Sequence, residues 1–257
     1  LNLSGMKAEV LNFGVGGYAQ DQALLRYLKQ GIKFHPHVVI FGFSIENIRR
    51  NLYLFRYFYK KGSTGVPVSK PRFILDGETL VLVNSPTPPP EALPEIFKDF
   101  KNWPLARYET FYHEVDHEPR LWHKSRFISL LVALYREYQI SRMDDYPNGS
   151  GYLLSLAIIK HFADEAARRQ SRFLIVHLPP GNHFPHYVDN GAFKYESHLE
   201  VMESKYSLVR PEQDMLAAVT KDTVDLLFAG HYSALGHQII GKSVAKYIIN
   251  DPSLRPH

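Results

Sequence analysis

The chain has 257 residues, of which 45% are hydrophobic and 22% are charged, so it can bury the core of one large domain or of a domain with an insertion. It contains no cysteine, which excludes disulfide bonds and thiolate metal sites. The net charge is +4, but lysine and arginine are scattered, whereas nucleic-acid-binding proteins usually carry a basic stripe. No apolar run reaches the ~18 residues that a membrane span needs, so we expect no membrane span and no nucleic-acid partner.

The first residues, LNLSGMKAEV, lack the basic start and apolar core of a signal peptide. Methionine first occurs at position 6, so we expect that further sequence precedes the chain. The compartment and the oligomeric state are left open.

The first sixty residues alternate between strand and helix patterns. Residues 8–13 predict a short strand, and residues 20–30, beyond a glycine-rich turn, predict a helix with leucines on one face. VVIFGF is typical of a strand that is buried on both faces, and residues 45–60 predict a second helix. This order implies a parallel sheet with right-handed crossovers.

The middle of the chain interrupts this alternation. RFILDGETLVLVN, with Asp76-Gly77 between two alternating runs, predicts a β-hairpin. Residues 96–146 are aromatic and mostly helical in pattern, and HKSRFISLLVALYREYQISR is amphipathic. We expect an insertion over approximately 60–146 that either covers a cleft or packs as an excursion.

The strand and helix patterns return after this insertion. Residues 152–170 predict a helix, RFLIVH predicts a strand that Pro179-Pro180 ends, and residues 211–219 predict a further helix. The apolar residues of the last stretch are spaced for one face of a closing helix. Three histidines lie at the end of this strand and beyond it: His177, His183 and His186. They can line the same cleft, but we expect them on a surface loop.

The element order predicts one α/β domain over residues 1–257. We expect a three-layer α/β/α sandwich with a mostly parallel sheet, and with the hairpin and the helical excursion inserted into it.

Three stretches resemble, in order, sequence blocks of the SGNH (GDSL) hydrolase family. Residues 9–51 resemble the glycine turn after the second strand and the Gly-x-Asn-Asp-like turn after the third. Residues 172–180 resemble the strand that follows, and residues 225–248 resemble the closing Asp-x-x-His block. The resemblance spans about half of the chain. It implies a flavodoxin-like fold and an esterase-like activity in which a serine attacks an acyl group.

The closing block is the most informative part of this resemblance. The run from His231 to His237, HYSALGH, is similar to the family's His-x-Asn-x-x-Gly-His, which gives His231 the position of the catalytic base. A histidine on a loop before a helix can take a proton from a serine and return it to the leaving group. The competing interpretation is that His231 caps or packs the last helix, whereas His237 is expected to pack or to start it.

The acid that orients the histidine is less clear. The family has it three residues before the histidine, where this chain has Phe228. Asp225, six residues before, is the candidate acid, and a solvent-exposed loop residue is an equal interpretation. A backbone carbonyl can also orient an imidazole.

Two residues are candidates for the oxyanion hole. Gly17 resembles the glycine of the second block, whose N–H faces the oxyanion, and a tight turn with positive φ is compatible with that role. In the third block the usual Asn-Asp is Glu46-Asn47, so Asn47 can donate its amide, which is worth about 3 kcal/mol when well placed. Helix capping is the equal alternative for Asn47.

The nucleophile of the family is missing from these residues. No Gly-Asp-Ser turn occurs in the chain, and only eleven residues precede Asn12. We therefore expect the serine, together with a central strand, in an upstream segment, and two unpaired strand edges without it. The alternative nucleophile is Ser44, whose surroundings partly resemble a Gly-x-Ser-x-Gly elbow in which Glu46 replaces the last glycine.

Two further motifs compete with this interpretation. His113-Glu114-x-x-His117 fits the zinc-binding H-E-x-x-H pattern, but Pro119 would disturb the helix and no third ligand follows at a familiar spacing. Gly14-x-Gly16-x-x-Ala19 fits a loose dinucleotide fingerprint, but the next strand does not end in an acidic residue. We expect no cofactor and no metal.

The sequence therefore predicts a serine-dependent acyl-ester hydrolase or acyl transferase that acts on a small-molecule or carbohydrate ester. Without the upstream serine we expect the chain to be inactive. Two alternatives stay open: a binding protein that kept the SGNH fold and lost the nucleophile, and a zinc metallopeptidase.

Overall fold

A computed structural model describes residues 5–60, 68–114, 124–144 and 149–254. The chain forms two compact units. The first, here called the sheet unit, comprises Leu1–Val15, Arg26–Glu46 and Lys160–His257. The second, here called the aromatic unit, comprises Gly16–Leu25 and Asn47–Ile159.

The helices, in chain order, are α1 (Gln20–Lys29), α2 (Glu46–Arg50), α3 (Arg56–Tyr59), α4 (Leu93–Lys98), α5 (Arg126–Asp144), α6 (Ser150–Arg168), α7 (Phe184–Asn190), α8 (Glu196–Glu203), α9 (Glu212–Ala217) and α10 (Ala234–Asn250). The strands are β1 (Val38–Phe43), β2 (Arg72–Asp76), β3 (Thr79–Val83), β4 (Arg172–His177), β5 (Ser207–Val209), β6 (Phe228–Ala229) and β7 (His231–Tyr232). The fold is thus mixed α/β, as the sequence predicts.

The sheet unit is built on three parallel strands in the order β1-β4-β5. The central strand β4 is buried from Leu174 to His177, because it has a neighbour on each side and cover on both faces. An aromatic layer lies against one face of the sheet, where the rings of Phe41 and Phe173 pack around Phe162 of α6.

The strand β1 differs from its prediction. Val39, Phe41 and Phe43 are buried, but Ile40 is 46% exposed, so only one face of β1 is covered. Among the described residues β1 pairs only with β4, which leaves its other edge open. The predicted burial on both faces is therefore wrong for this strand.

The predicted strand at residues 8–13 is also wrong. These residues form no strand, and Val10 is 79% exposed. The segment ends in a turn in which Gly14 N donates to Asn12 Oδ1 at 2.8 Å. A strand forms only where a neighbouring strand shares its backbone hydrogen bonds, and this segment belongs to no sheet of the described chain.

The aromatic unit has a core of phenylalanine and leucine side chains. The fully buried Phe55 packs edge-to-face against Phe58, Phe97 and Phe100. The predicted hairpin is confirmed as β2 and β3, which pair antiparallel around a tight turn with Gly77 at φ +58°.

Buried polar groups explain why the predicted helix at 45–60 is broken into α2 and α3. The Glu109 carboxylate accepts the backbone N–H groups of Leu54 and Phe55 at 2.6 and 2.8 Å, so that neither N–H joins a helical hydrogen-bond ladder, and Phe55 is extended. Asn51 Oδ1 accepts the N–H of Gln20 at 3.1 Å, and so satisfies a donor at the start of α1. Asp21 of α1 forms a buried ion pair with Lys70.

Candidate active site

His231 lies in a short hairpin, residues 228–232, formed by β6 and β7 around Gly230 at φ +74°. Two aromatic side chains attach this hairpin to the turn that follows β4. The hydroxyl of Tyr232 donates to the carbonyl of Pro179 at 2.6 Å, and the ring of Phe228 packs so closely on Gly181 that a Cβ there would lie 3.0 Å from it. The hairpin therefore lies at the carboxyl edge of the parallel sheet, where open α/β sheets usually bind ligands.

The His231 side chain is exposed and is free to meet a ligand. The cap of α10 is Ser233, whose Oγ accepts the N–H of Gly236 at 3.1 Å and donates to the carbonyl of Leu226 at 2.6 Å. The interpretation of His231 as a helix cap is therefore wrong. His237 is exposed one turn into α10, with its ring centroid 5.7 Å from that of Tyr232.

The structure does not join an acid to His231. Asp225 lies on the 3-10 helix Lys221–Leu227, is exposed, and makes no hydrogen bond to His231 within the described chain. Phe228, at the position that the family gives to the acid, packs against Phe184 and Tyr232 with ring centroids 5.7 and 5.4 Å apart. This position anchors the hairpin instead of orienting the imidazole.

Ser44 lies one residue beyond β1, at the same edge of the sheet as the His231 hairpin. The carbonyl of Phe43 accepts the N–H of Leu178 at 2.7 Å, so the carboxyl ends of β1 and β4 stay joined past the strands. Ser44 is half-buried, and in the described residues its hydroxyl has no hydrogen bond to a histidine. The hydroxyl is therefore not activated as it stands.

The two oxyanion candidates belong to the aromatic unit. Gly17 has φ +81°, and a Cβ there would lie 2.7 Å from Nη1 of Arg56, so this turn requires glycine. Arg56 was not expected from the sequence, and its guanidinium puts positive charge beside the backbone of Gly17. Asn47 is half-buried in the first turn of α2. Its amide makes no capping hydrogen bond in the part of the chain that is described.

A buried polar cluster follows β4 and was missed by sequence reasoning. His177 is fully buried, with Nδ1 2.8 Å from Glu212 Oε1 and Nε2 3.2 Å from the Tyr195 hydroxyl. Arg210 Nε donates to the same Glu212 oxygen at 3.0 Å. The expected surface position of His177 is therefore wrong. The sequence did contain a signal, because His177 directly follows the apolar run Phe173–Val176, which is typical of a buried strand.

The charges of this cluster follow from its contacts. Burial by itself raises the pKa of Glu212, but the hydrogen bond from His177 and the charge of Arg210 outweigh it, so the pKa lies below the ordinary value. Burial raises the pKa of Tyr195 and keeps its hydroxyl neutral. The cluster joins β4 to α9 and, because His177 is inaccessible, it does not reach a substrate.

The structure describes only part of the His113-Glu114-x-x-His117 motif. His117 lies outside the described residues, and Glu114 forms an ion pair with Lys101 at 3.0 Å. No group of three side chains that could hold a metal ion occurs among the described residues. Over the same residues, no helix is both long and apolar enough to cross a membrane.

The described structure is thus a mixed α/β protein that has an accessible histidine at the carboxyl edge of a small parallel sheet. No family model, no curated protein and no solved structure matches this chain.

Proposed function

We propose that the protein is an acyl-ester hydrolase or acyl transferase of the SGNH type, with His231 as general base and a small-molecule or carbohydrate ester as substrate. The proposal depends mainly on one observation: the exposed imidazole of His231 belongs to a hairpin that Phe228 and Tyr232 attach to the carboxyl edge of the parallel sheet. A base at this position can take a proton from a serine and return it to the leaving alcohol.

The proposed nucleophile is a serine at the carboxyl end of a further parallel strand beside β1. Two observations support this strand. The edge of β1 that faces away from β4 is unpaired within the described chain, and Ile40 of β1 is 46% exposed. In addition, residues 8–13 have the composition of a strand but form none in the structure. One inserted strand would satisfy both, and would extend the sheet into the expected three-layer sandwich.

The family resemblance assigns oxyanion stabilisation to the backbone N–H of Gly17 and the side-chain amide of Asn47, both residues of the aromatic unit. Such donors lower the barrier because they point at the charge before it forms. The guanidinium of Arg56 adds positive charge beside Gly17. Asp225 is the proposed acid and would need to turn towards His231; otherwise a backbone carbonyl orients the imidazole.

The test is turnover of p-nitrophenyl acetate by the product of the complete gene. His231→Ala should lower kcat/KM by about a thousand-fold or more, because general-base catalysis is lost together with the activation of the serine. The matched control is His237→Ala, which removes another exposed histidine of the same block and should keep the activity. Equal rates for wild type and His231→Ala would remove His231 from the mechanism.

The second candidate function is binding without catalysis, in a protein that kept the fold and lost the nucleophile. The observation that favours it is the lack, within the described chain, of an acid hydrogen-bonded to His231. A complete gene product without an upstream serine and without turnover would support this candidate. Turnover by residues 1–257 alone that Ser44→Ala abolishes would instead identify Ser44 as the nucleophile.

A further inference from the structure

Helix α5 exposes a wide apolar face. Seven of its large hydrophobic side chains are 42–69% exposed: Phe127, Ile128, Leu130, Leu131, Leu134, Tyr135 and Tyr138. At 100° per residue they cover about 160° of the helix circumference. A contiguous apolar surface of this kind on a folded protein marks an interaction site.

The fold determines which side of α5 faces outward. The half-buried residues on the opposite side follow a helical spacing and are mostly short or polar: Ser129, Val132, Arg136 and Ile140. Glu137, at the border of the apolar face, forms an ion pair with Arg49 at 2.6 Å. The helix is therefore attached to the aromatic unit by its less apolar side, and its phenylalanine, leucine and tyrosine side chains point to solvent.

The apolar face has basic residues at both ends. Lys124 and Arg126 lie at the start of α5, and Arg142 lies in its last turn, where its guanidinium stacks over the ring of Tyr138 with 6.0 Å to the centroid. Residues 124–144 contain four basic and two acidic residues, and one of the acidic residues, Glu137, is already paired. Arg136 lies on the opposite, half-buried side of α5, so the basic residues beside the apolar face are Lys124, Arg126 and Arg142.

We propose that α5 is an interfacial helix that lies on an anionic lipid surface. An apolar face of leucine and phenylalanine enters the boundary between headgroups and acyl chains, and tyrosine keeps its hydroxyl at the polar level. Lys124, Arg126 and Arg142 would then meet anionic headgroups, which attract basic residues near the surface.

A second copy of the protein fits this face less well than lipid does. In an antiparallel pair of α5 helices, Arg142 of one copy would lie near Lys124 and Arg126 of the other. In a parallel pair each basic residue would lie near its own counterpart. In either arrangement the three basic residues beside the apolar face meet like charges, with Asp144 the one acidic residue near them, whereas an anionic lipid surface attracts all three.

The test is co-sedimentation of the protein with vesicles of phosphatidylcholine alone and with vesicles in which one third of the lipid is phosphatidylglycerol. We expect binding to the anionic vesicles that weakens in high salt. The double variant L131Q/L134Q should bind at least about ten-fold more weakly, because two apolar side chains no longer enter the boundary. The control is L226Q: Leu226 and Leu134 are both 59% exposed, but Leu226 lies outside α5.

The basic residues are tested separately with R126Q/R142Q. This variant should bind anionic vesicles about 25-fold more weakly, which corresponds to about 1 kcal/mol for each basic residue near an anionic surface. Circular dichroism verifies that every variant is folded. The proposal is overturned if the wild type does not bind the vesicles, or if L226Q weakens binding as much as L131Q/L134Q. It is also overturned if light scattering shows a dimer that L131Q/L134Q dissociates, because a second copy then covers the face.

Discussion

Glu109 shows at the scale of one residue how a buried acid can organise a unit. Its carboxylate accepts backbone N–H groups from Leu54 and Phe55 through one oxygen and from Phe111 through the other at 3.1 Å. Burial raises the pKa of Glu109 to about 7, although these N–H donors act in the opposite direction. One side chain thus joins two segments that are more than fifty residues apart in sequence.

This pKa predicts how stability depends on pH. Between the ordinary value of 4.5 and about 7, the unfolded chain has lost a proton that the folded chain keeps. The free energy of unfolding should therefore fall by about 3 kcal/mol as pH rises through this interval. Glu109→Gln should remove this dependence, and urea denaturation at a series of pH values measures it.

The control for this pH series is Glu114→Gln, which changes an exposed carboxylate of the same unit and should leave the dependence as it is in the wild type. A wild-type stability that stays level or rises over this interval would show that Glu109 is already ionised below it.

At the scale of an element, the turn between Asn12 and α1 needs one residue in the left-handed backbone conformation. Gly17 has φ +81°, whereas Gly16 has no positive φ, and a Cβ at Gly16 would meet no atom within 4 Å. A side chain can therefore be added at Gly16 without strain or clash, whereas at Gly17 it would strain the backbone and displace Arg56.

We expect Gly17→Ala to lower the free energy of unfolding by about 1–2 kcal/mol, because an L residue is strained in the left-handed region and the Arg56 guanidinium must also move. Gly16→Ala should change stability by no more than about 0.5 kcal/mol. Thermal and urea denaturation of both variants checks the difference. Equal effects would mean that the turn adapts its backbone, and the proposal that Gly17 serves the oxyanion would then lose its geometric reason.

At the scale of the whole molecule, the sheet has an open side at β1. Ile40 and Leu174 are neighbours in the register of β1 and β4 and lie on the same face, but Leu174 is fully buried and Ile40 is 46% exposed. Packed side chains therefore cover this face of the sheet at β4 but only partly at β1.

Truncation of these neighbours should have unequal effects. In residues 1–257, Leu174→Ala should cost about 2–5 kcal/mol, because it removes buried methyl groups and leaves a cavity. Ile40→Ala should cost less than about 1 kcal/mol, because much of its surface is already in water. Urea denaturation measures both values.

The same pair of variants tests the proposed additional strand. In a complete gene product that supplies this strand, Ile40 would be covered and Ile40→Ala should approach the cost of Leu174→Ala. An unchanged, small cost in the longer protein would argue against a strand beside β1.

Local patterns in the sequence were sufficient where the chain's own periodicity decides the structure. The hairpin of β2 and β3, the strand β4 and the helices α1, α6, α9 and α10 were all predicted within a few residues. In each case the spacing of apolar residues and the turn residues at the ends point to the same element. The position of His231 just before a helix could also be predicted from local patterns, since it depends only on where α10 begins.

What the sequence by itself determined is therefore the order and type of these elements and the set of candidate residues. Only the tertiary structure decided which groups are buried and which are accessible. Phe55 is extended because Glu109, distant in sequence, binds the N–H groups of Leu54 and Phe55, and His177 is buried because Glu212 and Tyr195 satisfy its ring nitrogens. Residues 8–13 form no strand for the converse reason: a strand pattern becomes a strand only when a neighbour accepts its backbone hydrogen bonds. Such contacts join residues far apart in sequence, and no local pattern contains them.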